Sequence, residues 1–401
     1  MGKKKLMLLG GLRYLIPVIK VAHKLDIYVI TVDYVPHNIA HKYSDEYYNI
    51  SILDKEAVLT LAQKLQIDGI MSFAVDPGVV TAAYVAEKMG LPFQGSFKSV
   101  SILQDKSLFR NFLAKNNFKV PRAKGYNNLE AAIEDRKSWK YPVIVKPVDS
   151  AGSKGVSRVD SEKDLNKAIK IALEESHIKK FIIEDFIIPK FHTSDSDCFT
   201  VNGELSVCSF SNQYFDKTAS NPYTPAAYSW PSSMPMRFQD ELKTELQRLM
   251  FLLEMKTGIY NIETRIGKDG NAYIMEVSPR GGGNRLAEMV DNEYNTNLIE
   301  NSVRNAVGLN LLEINVKEPN EHLVEIIIHS DRDGKFEELE ISEEIMPFLV
   351  EKDLWVLKGE EVYAFRGANN SMGTLVFKIK DLKVCERLLN NPSSYYNIIL
   401  Q

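Results

Sequence analysis

Apolar and polar positions alternate along the first hundred residues in a way that predicts strands and helices in turn. Three short apolar runs predict buried strands, at Lys5–Leu9, Tyr28–Val32 and residues 69–73. The segments between them are amphipathic and predict helices, and Asp76-Pro77 predicts the start of another helix with Asp76 as its N-cap. A β-α-β-α order favours a parallel sheet covered by helices.

A glycine loop joins two predicted strands in the middle of the chain. The apolar run over residues 141–147 carries Lys146 near its end, and the loop over residues 150–155 follows. Burial disfavours an ammonium group, so an anion is expected opposite Lys146. Small residues let backbone N–H groups approach a phosphate, and Ser150 and Ser153 add donors. The alternative is a plain hairpin turn.

Two glutamates lie on a predicted hairpin of apolar strands at residues 259–266 and 272–277. Counted from the middle of the turn, Glu263 is the sixth residue back and Glu276 the eighth forward, so both side chains are expected on one face. Two carboxylates on an apolar sheet repel each other unless a cation lies between them, and oxygen ligands suit Mg²⁺. The alternative is a pair of solvent-facing glutamates on an edge hairpin.

Two further segments carry candidate chemistry. Arg280 follows the hairpin and precedes the run Gly-Gly-Gly-Asn284-Arg285. A guanidinium beside a metal site can neutralise a transferring phosphoryl group, and Arg285 is suited to bind a carboxylate. The apolar run over residues 181–188, interrupted by Glu184, could present backbone groups to a purine. The alternatives are a surface loop and a satisfied edge glutamate, and residues 221–235 are predicted as a loop.

Composition narrows the classes of protein. The 401 residues allow two to four domains, and 44% hydrophobic content is that of a globular protein. A net charge of −4 makes nucleic acid an unexpected partner, and no apolar run is long enough for a membrane span. The three cysteines have no metal-binding spacing and are expected as reduced thiols in a cytoplasmic protein.

The order of these motifs resembles the ATP-grasp superfamily of ligases, which includes biotin carboxylase, carbamoyl-phosphate synthase, D-alanine–D-alanine ligase and the glycinamide ribonucleotide synthetases. The resemblance rests on VIVKP, the glycine loop, IIEDFI, and a glutamate followed by ExSxR, and it spans nearly the whole chain. It implies a multidomain α/β and α+β fold. The expected parts are a parallel pre-ATP-grasp domain (1–100), an ATP-grasp domain (101–309) with a lid over about 122–187, and a small C-terminal α+β domain (310–401).

The resemblance also implies roles for individual residues. ATP would be bound by Lys106, Lys146, Ser150, Gly152, Ser153, Gly155, Glu184, Asp185, Phe186, Ile187 and Asp195. Mg²⁺, or Mn²⁺ in its place, would be held by Glu263, Glu276 and Ser278, and the catalytic set would be Lys146, Arg280 and Arg285. Many family members have Asn in place of Ser278, and Asp197 is an alternative to Asp195 as the ribose-binding acid.

The activity that the resemblance implies is ATP-dependent carboxylate–amine ligation. A carboxylate would attack the γ-phosphorus, and an amine would displace phosphate from the resulting acylphosphate, leaving ADP and phosphate. Phosphoribosylamine with glycine is one candidate pair, as in a glycinamide ribonucleotide synthetase. A bicarbonate-phosphorylating enzyme of the carboxylase or carbamoyl-phosphate synthase kind, and a nucleotide-binding protein without ligase activity, stay open. The expected partners are small molecules, with no nucleic acid or membrane, and a homodimer is one expected assembly.

Overall fold

A computed structural model describes residues 2–150 and 152–401 of the chain. The first unit contains four strands and three helices: β1 Lys5–Leu9, α1 Ile16–Lys24, β2 Tyr28–Val32, β3 Glu46–Tyr48, α2 Lys55–Leu65, β4 Gly69–Ser72 and α3 Asp76–Met89. The strands form a parallel sheet in the order β3-β2-β1-β4, as the alternating pattern predicts. No helix of the described residues is long and apolar enough to cross a membrane.

The strands of this sheet are apolar on both faces because helices cover both. Leu6 and Leu8 of β1 pack in a core that includes residues of α1, whereas Met7 and Leu9 pack in a second core that includes residues of α2 and α3. The predicted N-cap at Asp76 is wrong by one residue, because Val75 is the N-cap and Asp76 is the first residue of α3.

A second sheet carries the predicted glycine loop. It is preceded by α4 Phe97–Gln104 and α5 Lys106–Lys115, and it contains β5 Ala123–Tyr126, α6 Leu129–Glu134, β6 Val143–Pro147, β7 Ser157–Val159, α7 Leu165–Glu175 and β8 Phe181–Asp185. The strand order is β5-β8-β6-β7, with antiparallel pairs throughout. The loop joins β6 to β7, and its residue Ala151 lies outside the described residues.

A third sheet contains the two predicted glutamate strands. Its members are β9 Ser194–Val201, β10 Glu204–Cys208, β13 Gly258–Ile266 and β14 Ala272–Ser278, with α8 Met236–Leu252 packed beside it. The order is β10-β9-β13-β14, and β13 and β14 pair antiparallel as predicted. Two helices follow, α9 Leu286–Tyr294 and α10 Leu298–Ala306.

The remaining strands form two antiparallel sheets. They are β11 Asn212–Phe215, β12 Pro225–Trp230, β15 His322–Ile328, β16 Gly334–Ile341, β17 Leu349–Leu354, β18 Glu361–Val362, β19 Gly373–Ile379 and β20 Tyr396–Leu400, with α11 Leu382–Asn390. The larger sheet has the order β11-β12-β15-β19-β17, and the smaller β18-β16-β20. The larger sheet therefore crosses the predicted boundary between residues 309 and 310, and the domain limits stay a prediction.

The segment predicted as a loop over residues 221–235 contains a buried strand, so that prediction is wrong. Within it, Tyr228 and Trp230 are fully buried in β12. β12 lies between β11 and β15, and β15 comes from a distant part of the chain. The local pattern carries no sign of that partner, which is why the strand was missed.

Candidate functional site

One face of the third sheet carries six polar side chains in two rows. In the first row, which we call the acid row, Asp195, Glu263 and Glu276 lie directly opposite one another on β9, β13 and β14. The second row, two residues along each strand, consists of Asp197, Asn261 and Ser278. Residues two apart on a strand share a face, and so do directly opposed residues, so the six form one polar patch.

The acid row depends on an irregularity in the hairpin. Glu263 faces Glu276, whereas its neighbour Thr264 faces Ile274, so the register shifts between the two pairs. The bulge accounts for one of the two residues by which the counts of six and eight differ; the other is already present at the Ile266–Ala272 pair beside the turn. Both carboxylates are about one-third exposed, Glu263 at 34% and Glu276 at 33%. The two carboxylates are therefore partly buried, with part of each side chain open to solvent.

Lys106 lies between the acid row and the glycine loop. Its Nζ is 3.5 Å from Oε2 of Glu276 and donates to the backbone oxygen of Ser150 at 3.0 Å. Lys106 is the first residue of α5, and Asp105 caps that helix by accepting from the N–H groups of Ser107 and Leu108. The helix start therefore fixes the backbone from which Lys106 reaches the loop.

Lys146 is paired with Glu184. The Lys146 Nζ is 2.5 Å from Oε1 of Glu184, and Arg110 Nε donates to Oε2 at 3.0 Å. Sequence reasoning missed Arg110, although it lies one helical turn after Lys106 on α5, a spacing that places both on one helix face. The anion opposite Lys146 in this structure is thus Glu184, a residue of a central strand and not an edge one.

These groups carry an excess of positive charge. Burial alone would raise the pKa of Glu184, but Arg110 and Lys146 outweigh it and lower this pKa to about 2. Burial lowers the pKa of Lys146; Glu184 opposes the shift, while the nearby cations Arg110 and Lys106 add to it. A further anion beside Lys146 and Lys106 would relieve this repulsion, which is what a phosphate group would supply.

The acids nearest the sheet centre are held by neutral donors. Asp195 accepts from Asn261 Nδ2 at 2.7 Å and from the Tyr228 hydroxyl at 3.0 Å. Asp197 accepts from the backbone N–H of Gly282 at 2.9 and 3.0 Å. Burial, together with the charge of Glu263, raises the pKa of Asp195 to about 7, and burial raises that of Asp197 to about 7.

Arg280 is bound to the first unit of the chain. Its guanidinium donates to both oxygens of Asp76, which also accepts from the Ser278 hydroxyl at 2.6 Å. Gln104 donates to the same hydroxyl at 2.6 Å. Because Ser278 is buried and engaged at both its donor and acceptor sides, we leave it out of the proposed metal ligands.

Gly282 shows why the run after Arg280 is glycine-rich. A Cβ atom there would lie 2.8 Å from Asn261 Nδ2 and from Asp197 Oδ1. The missing side chain therefore lets this loop lie directly on the polar patch. The close approach of this loop is to the side chains of Asn261 and Asp197.

The glycine loop folds onto the segment before β12. Ser153 donates from Oγ to the backbone oxygen of Tyr223 at 3.0 Å, and Asn221 Nδ2 lies 3.4 Å from the Ser153 oxygen. Gly152, Ser153 and Gly155 all have positive φ angles. The loop thus spans the edge of the second sheet toward the sheet that holds β12.

The predicted adenine strand divides into two parts. Glu184 belongs to the ion pairs with Lys146 and Arg110 and lies inside the sheet. Asp185 ends β8, Phe186 lies under the Arg158 guanidinium, and the Ile187 oxygen accepts from Arg265 at 3.2 Å. Asp195 lies in the acid row, beside Glu263, so we treat it as a neighbour of the metal ligands.

Arg285 lies apart from this set and contacts the C-terminal strands. It donates to Thr374 Oγ1 at 2.8 Å and pairs with Glu288 and Glu351. Arg285, which was predicted to bind a substrate carboxylate, already has two carboxylate partners within the protein.

The donor set fits a magnesium ion. Glu263 and Glu276 face each other with their nearest cations, Arg265 and Lys106, each 3.5 Å away. No group of three or more acidic, histidine or cysteine side chains among the described residues could hold a metal ion by protein ligands alone. Two carboxylates suffice for Mg²⁺ when substrate phosphates complete its shell.

Comparison with known proteins identifies part of the chain. Residues 139–288 match the model of the ATP-grasp domain. The carbamoyl phosphate synthase large chain of Pasteurella multocida is 24% identical over 185 residues, 46% of this chain and 17% of that protein. The C-terminal section of the Aquifex aeolicus large chain is 22% identical over 260 residues, 65% of this chain and 47% of that protein. The chain thus spans less than half of these relatives.

Solved structures share the whole fold. The L-amino acid ligase from Bacillus licheniformis has a TM-score of 0.82 at 20% identity, with 100% of both chains covered. Phosphoribosylglycinamide synthetase from Anaerococcus prevotii has a TM-score of 0.78 at 21% identity, again with 100% of both covered. N5-carboxyaminoimidazole ribonucleotide synthetase from Thermotoga maritima has 0.76 at 20%, covering 99% and 100%. These likenesses establish the fold.

Proposed function

We propose that this chain, whose residues 139–288 are an ATP-grasp domain, is an ATP-dependent carboxylate–amine ligase. ATP phosphorylates a substrate carboxylate, an amine attacks the acylphosphate, and ADP and phosphate leave. The chain's own residues bind and orient the reactants and offset charge. The acid and the amine are small molecules, and glycine with phosphoribosylamine is one candidate pair.

One observation carries the proposal: Lys106 connects the loop to the acid row. Its Nζ contacts both the Ser150 backbone and Glu276, and Lys146 lies close enough for its pKa to respond to Lys106. Lys106 thus joins the glycine loop to the facing carboxylates, and Lys146, on the strand that leads into this loop, supplies a second ammonium group. A metal-bound triphosphate is the ligand that matches both signs of charge.

Mg²⁺ bound by Glu263 and Glu276 would neutralise phosphate oxygens and orient the triphosphate. Arg280, held by Asp76, lies close enough to Glu276 for that charge to raise its pKa. We propose that it offsets the charge that develops on the transferred phosphoryl group. Lys106 and Lys146 would contact the nucleotide phosphates.

Bicarbonate in place of an organic acid is the second candidate. It is favoured by the match to carbamoyl phosphate synthase large chains. A biotin carboxylase domain from Hydrogenobacter thermophilus, solved with MgADP and bicarbonate, shares the fold at a TM-score of 0.74 and 15% identity. Both reactions begin with phosphorylation of an acid, so the identity of that acid distinguishes the two candidates.

Phosphate release from Mg-ATP tests the proposal. The protein is incubated with each common amino acid, with acetate or with bicarbonate, in the presence and absence of primary amines. We expect release that requires both an organic acid and an amine, with a C–N-linked product visible by mass spectrometry. Release that depends on bicarbonate favours the second candidate. ATP binding without release under any condition would contradict both and favour a non-catalytic nucleotide-binding protein.

A further inference from the structure

Glu325 is a buried carboxyl group with no hydrogen-bond partner. It lies in the middle of β15 with 0% of its surface exposed. Neither Oε1 nor Oε2 has a partner among the described residues. A buried polar group without a partner is destabilising, so we looked for a ligand or a function that would explain Glu325.

The face of the sheet around Glu325 is otherwise apolar. Tyr228 of β12 and Val376 of β19 lie directly opposite it, and Leu323 and Ile327 flank it along β15. These four belong to one buried cluster that also contains Leu286 and Met289 of α9. A leucine would suit this position in a purely structural core, which makes the carboxyl group the exception.

The charges near Glu325 leave it short of a cation. Arg285 Nη2 pairs with Glu288 at 3.1 Å and with Glu351 at 2.8 Å, so two carboxylates already share this guanidinium. Glu325 is a third carboxyl group near Arg285, close enough for the guanidinium charge to influence its pKa. Burial raises the pKa of Glu325 to about 8; Arg285 opposes this shift, and Glu288 and Glu351 add to it.

This cluster adjoins the acid row through a chain of hydrogen bonds. Tyr228, which lies opposite Glu325, donates to Asp195 Oδ2 at 3.0 Å. Asn284 Nδ2 donates to the Tyr228 hydroxyl at 3.4 Å, and Tyr14 donates to Asn284 Oδ1 at 3.2 Å. A molecule at Glu325 would therefore lie next to the site proposed for phosphoryl transfer.

Among these charged side chains, that of Glu351 is the most exposed to solvent and that of Glu325 the least. The side chain of Glu351 is 38% exposed and that of Arg285 is 8% exposed, whereas Glu325 is fully buried. Trp355 directly follows β17, the strand that contains Glu351. Its ring packs edge-on against Tyr14 and lies under the Arg13 guanidinium.

We propose that Glu325, together with Glu288 and Glu351, forms the subsite that binds the amine substrate as an ammonium ion, a role that rests on the proposed ligase function. One ammonium proton passes to Glu351, the most exposed of the three carboxylates, and the free amine then attacks the acyl carbon as phosphate leaves. An ammonium supplies both the positive charge and the N–H donors that the two Glu325 oxygens lack.

The test separates the two halves of the reaction in wild type, Glu325→Met and Glu325→Gln. Hydroxylamine, a small neutral nucleophile at pH 7, traps an acylphosphate as a hydroxamate and does not need an ammonium subsite. The common amino acids serve as acid probes with Mg-ATP, and the acid that reacts is then paired with ethylamine and with amino acids as amines. Glu293→Met is the matched control, because Glu293 Oε1 is also buried and has no hydrogen-bond partner in the described part of the chain, but Lys378 and Glu321 are its charged neighbours.

We expect both Glu325 variants to form hydroxamate while their KM for the amine rises about 10- to 100-fold, the loss typical of a charge-assisted hydrogen bond. The KM for ATP should change less than about twofold, because ATP binding does not involve this subsite. An unchanged KM for the amine in the Glu325 variants, or an equal rise in Glu293→Met, would overturn the subsite. Absence of hydroxamate from the wild type with every acid would overturn the ligase proposal, and the subsite with it.

Discussion

Arg280 and Asp76 are joined by two hydrogen bonds that link separate parts of the chain. Nε of Arg280 donates to Oδ1 of Asp76 at 2.8 Å, and Nη2 donates to Oδ2 at 2.5 Å. Burial alone would raise the pKa of Asp76, but the Arg280 guanidinium outweighs it and the pKa is lowered. The first residue of α3 thus holds an arginine that follows β14, near the acid row.

Asp76→Asn should lower kcat because it removes the charge that orients Arg280. We expect a fall of about 10- to 100-fold with a smaller change in the KM for ATP. The variant should also unfold more easily in urea, by about 3 kcal/mol, since a buried arginine loses its anionic partner. Partial recovery of kcat in Asp76→Glu would distinguish positioning from general destabilisation. A wild-type kcat in Asp76→Asn would contradict the role.

Lys146→Ala and Glu276→Ala should each abolish ATP turnover while the fold stays intact. The Lys146→Ala variant would lack the ammonium group proposed to contact phosphate. Its fold should persist because Glu184 keeps Arg110 as an ionic partner inside the sheet. Phosphate release measures activity, and circular dichroism with a melting curve measures the fold. Lys170→Ala, an exposed change on α7, is the matched control. Full activity in either site variant would refute the assignment of these residues.

Glu263→Gln should weaken the magnesium dependence of nucleotide binding. A ligand at about 100 times its dissociation constant stabilises the native state by about 2.7 kcal/mol, so ADP binding can be followed by the melting temperature. In a titration of Mg²⁺ at fixed ADP, the midpoint should move to higher magnesium concentration in the variant. Glu204→Gln, on the exposed part of β10, should leave the midpoint unchanged. Equal midpoints for Glu263→Gln and wild type would exclude Glu263 as a ligand.

Glu325→Met should stabilise the free protein, and more so at higher pH. The folded pKa of Glu325 is raised to about 8 from 4.5, so the folded state keeps a proton that the unfolded state releases. Stability therefore falls as pH rises from about 4.5 to about 8, by about 1.4 kcal/mol per unit at most. The charged or titratable groups that face Glu325 are Arg285, Glu288, Glu351 and Tyr228, with Tyr14 nearby.

Melting curves of Glu325→Met and wild type at pH 5.5 and pH 8 measure this difference. The gap between their melting temperatures should widen at the higher pH, because only the wild type then carries the uncompensated buried charge. Glu293→Met should show a smaller widening, since the raised pKa of Glu293 is about 7. A gap that is the same at both pH values would contradict a titrating Glu325.

Local patterns were enough to predict the elements that hold the site. The bounds of β1 and β2 match the predicted apolar runs, and the pairing of β13 with β14 follows from the turn between them. These features depend on residues close together in the sequence. Helix caps, strand alternation and hairpin turns are all of this kind.

Partners from distant segments could not be predicted in the same way. Nothing near Lys146 shows that Glu184 is its neighbour, and nothing near Arg285 shows that Glu351 is. Asn261 was within reach, because it lies two residues before Glu263 and so shares its face. The Asp76–Arg280 pair was not, since it depends on how α3 packs against the end of β14.

The pairing of β12 with β15 has a consequence for how the protein is made. β12 is synthesised well before β15, its partner in the sheet. In the nascent chain, the backbone groups along that edge of β12 therefore have no strand to pair with. Open edges recruit other strands, which makes premature release from synthesis a route to aggregation. The same pairing suggests where the chain could be divided into two fragments. A fragment ending before residue 310 and a fragment containing β15 would reassemble through the pairing of β12 with β15.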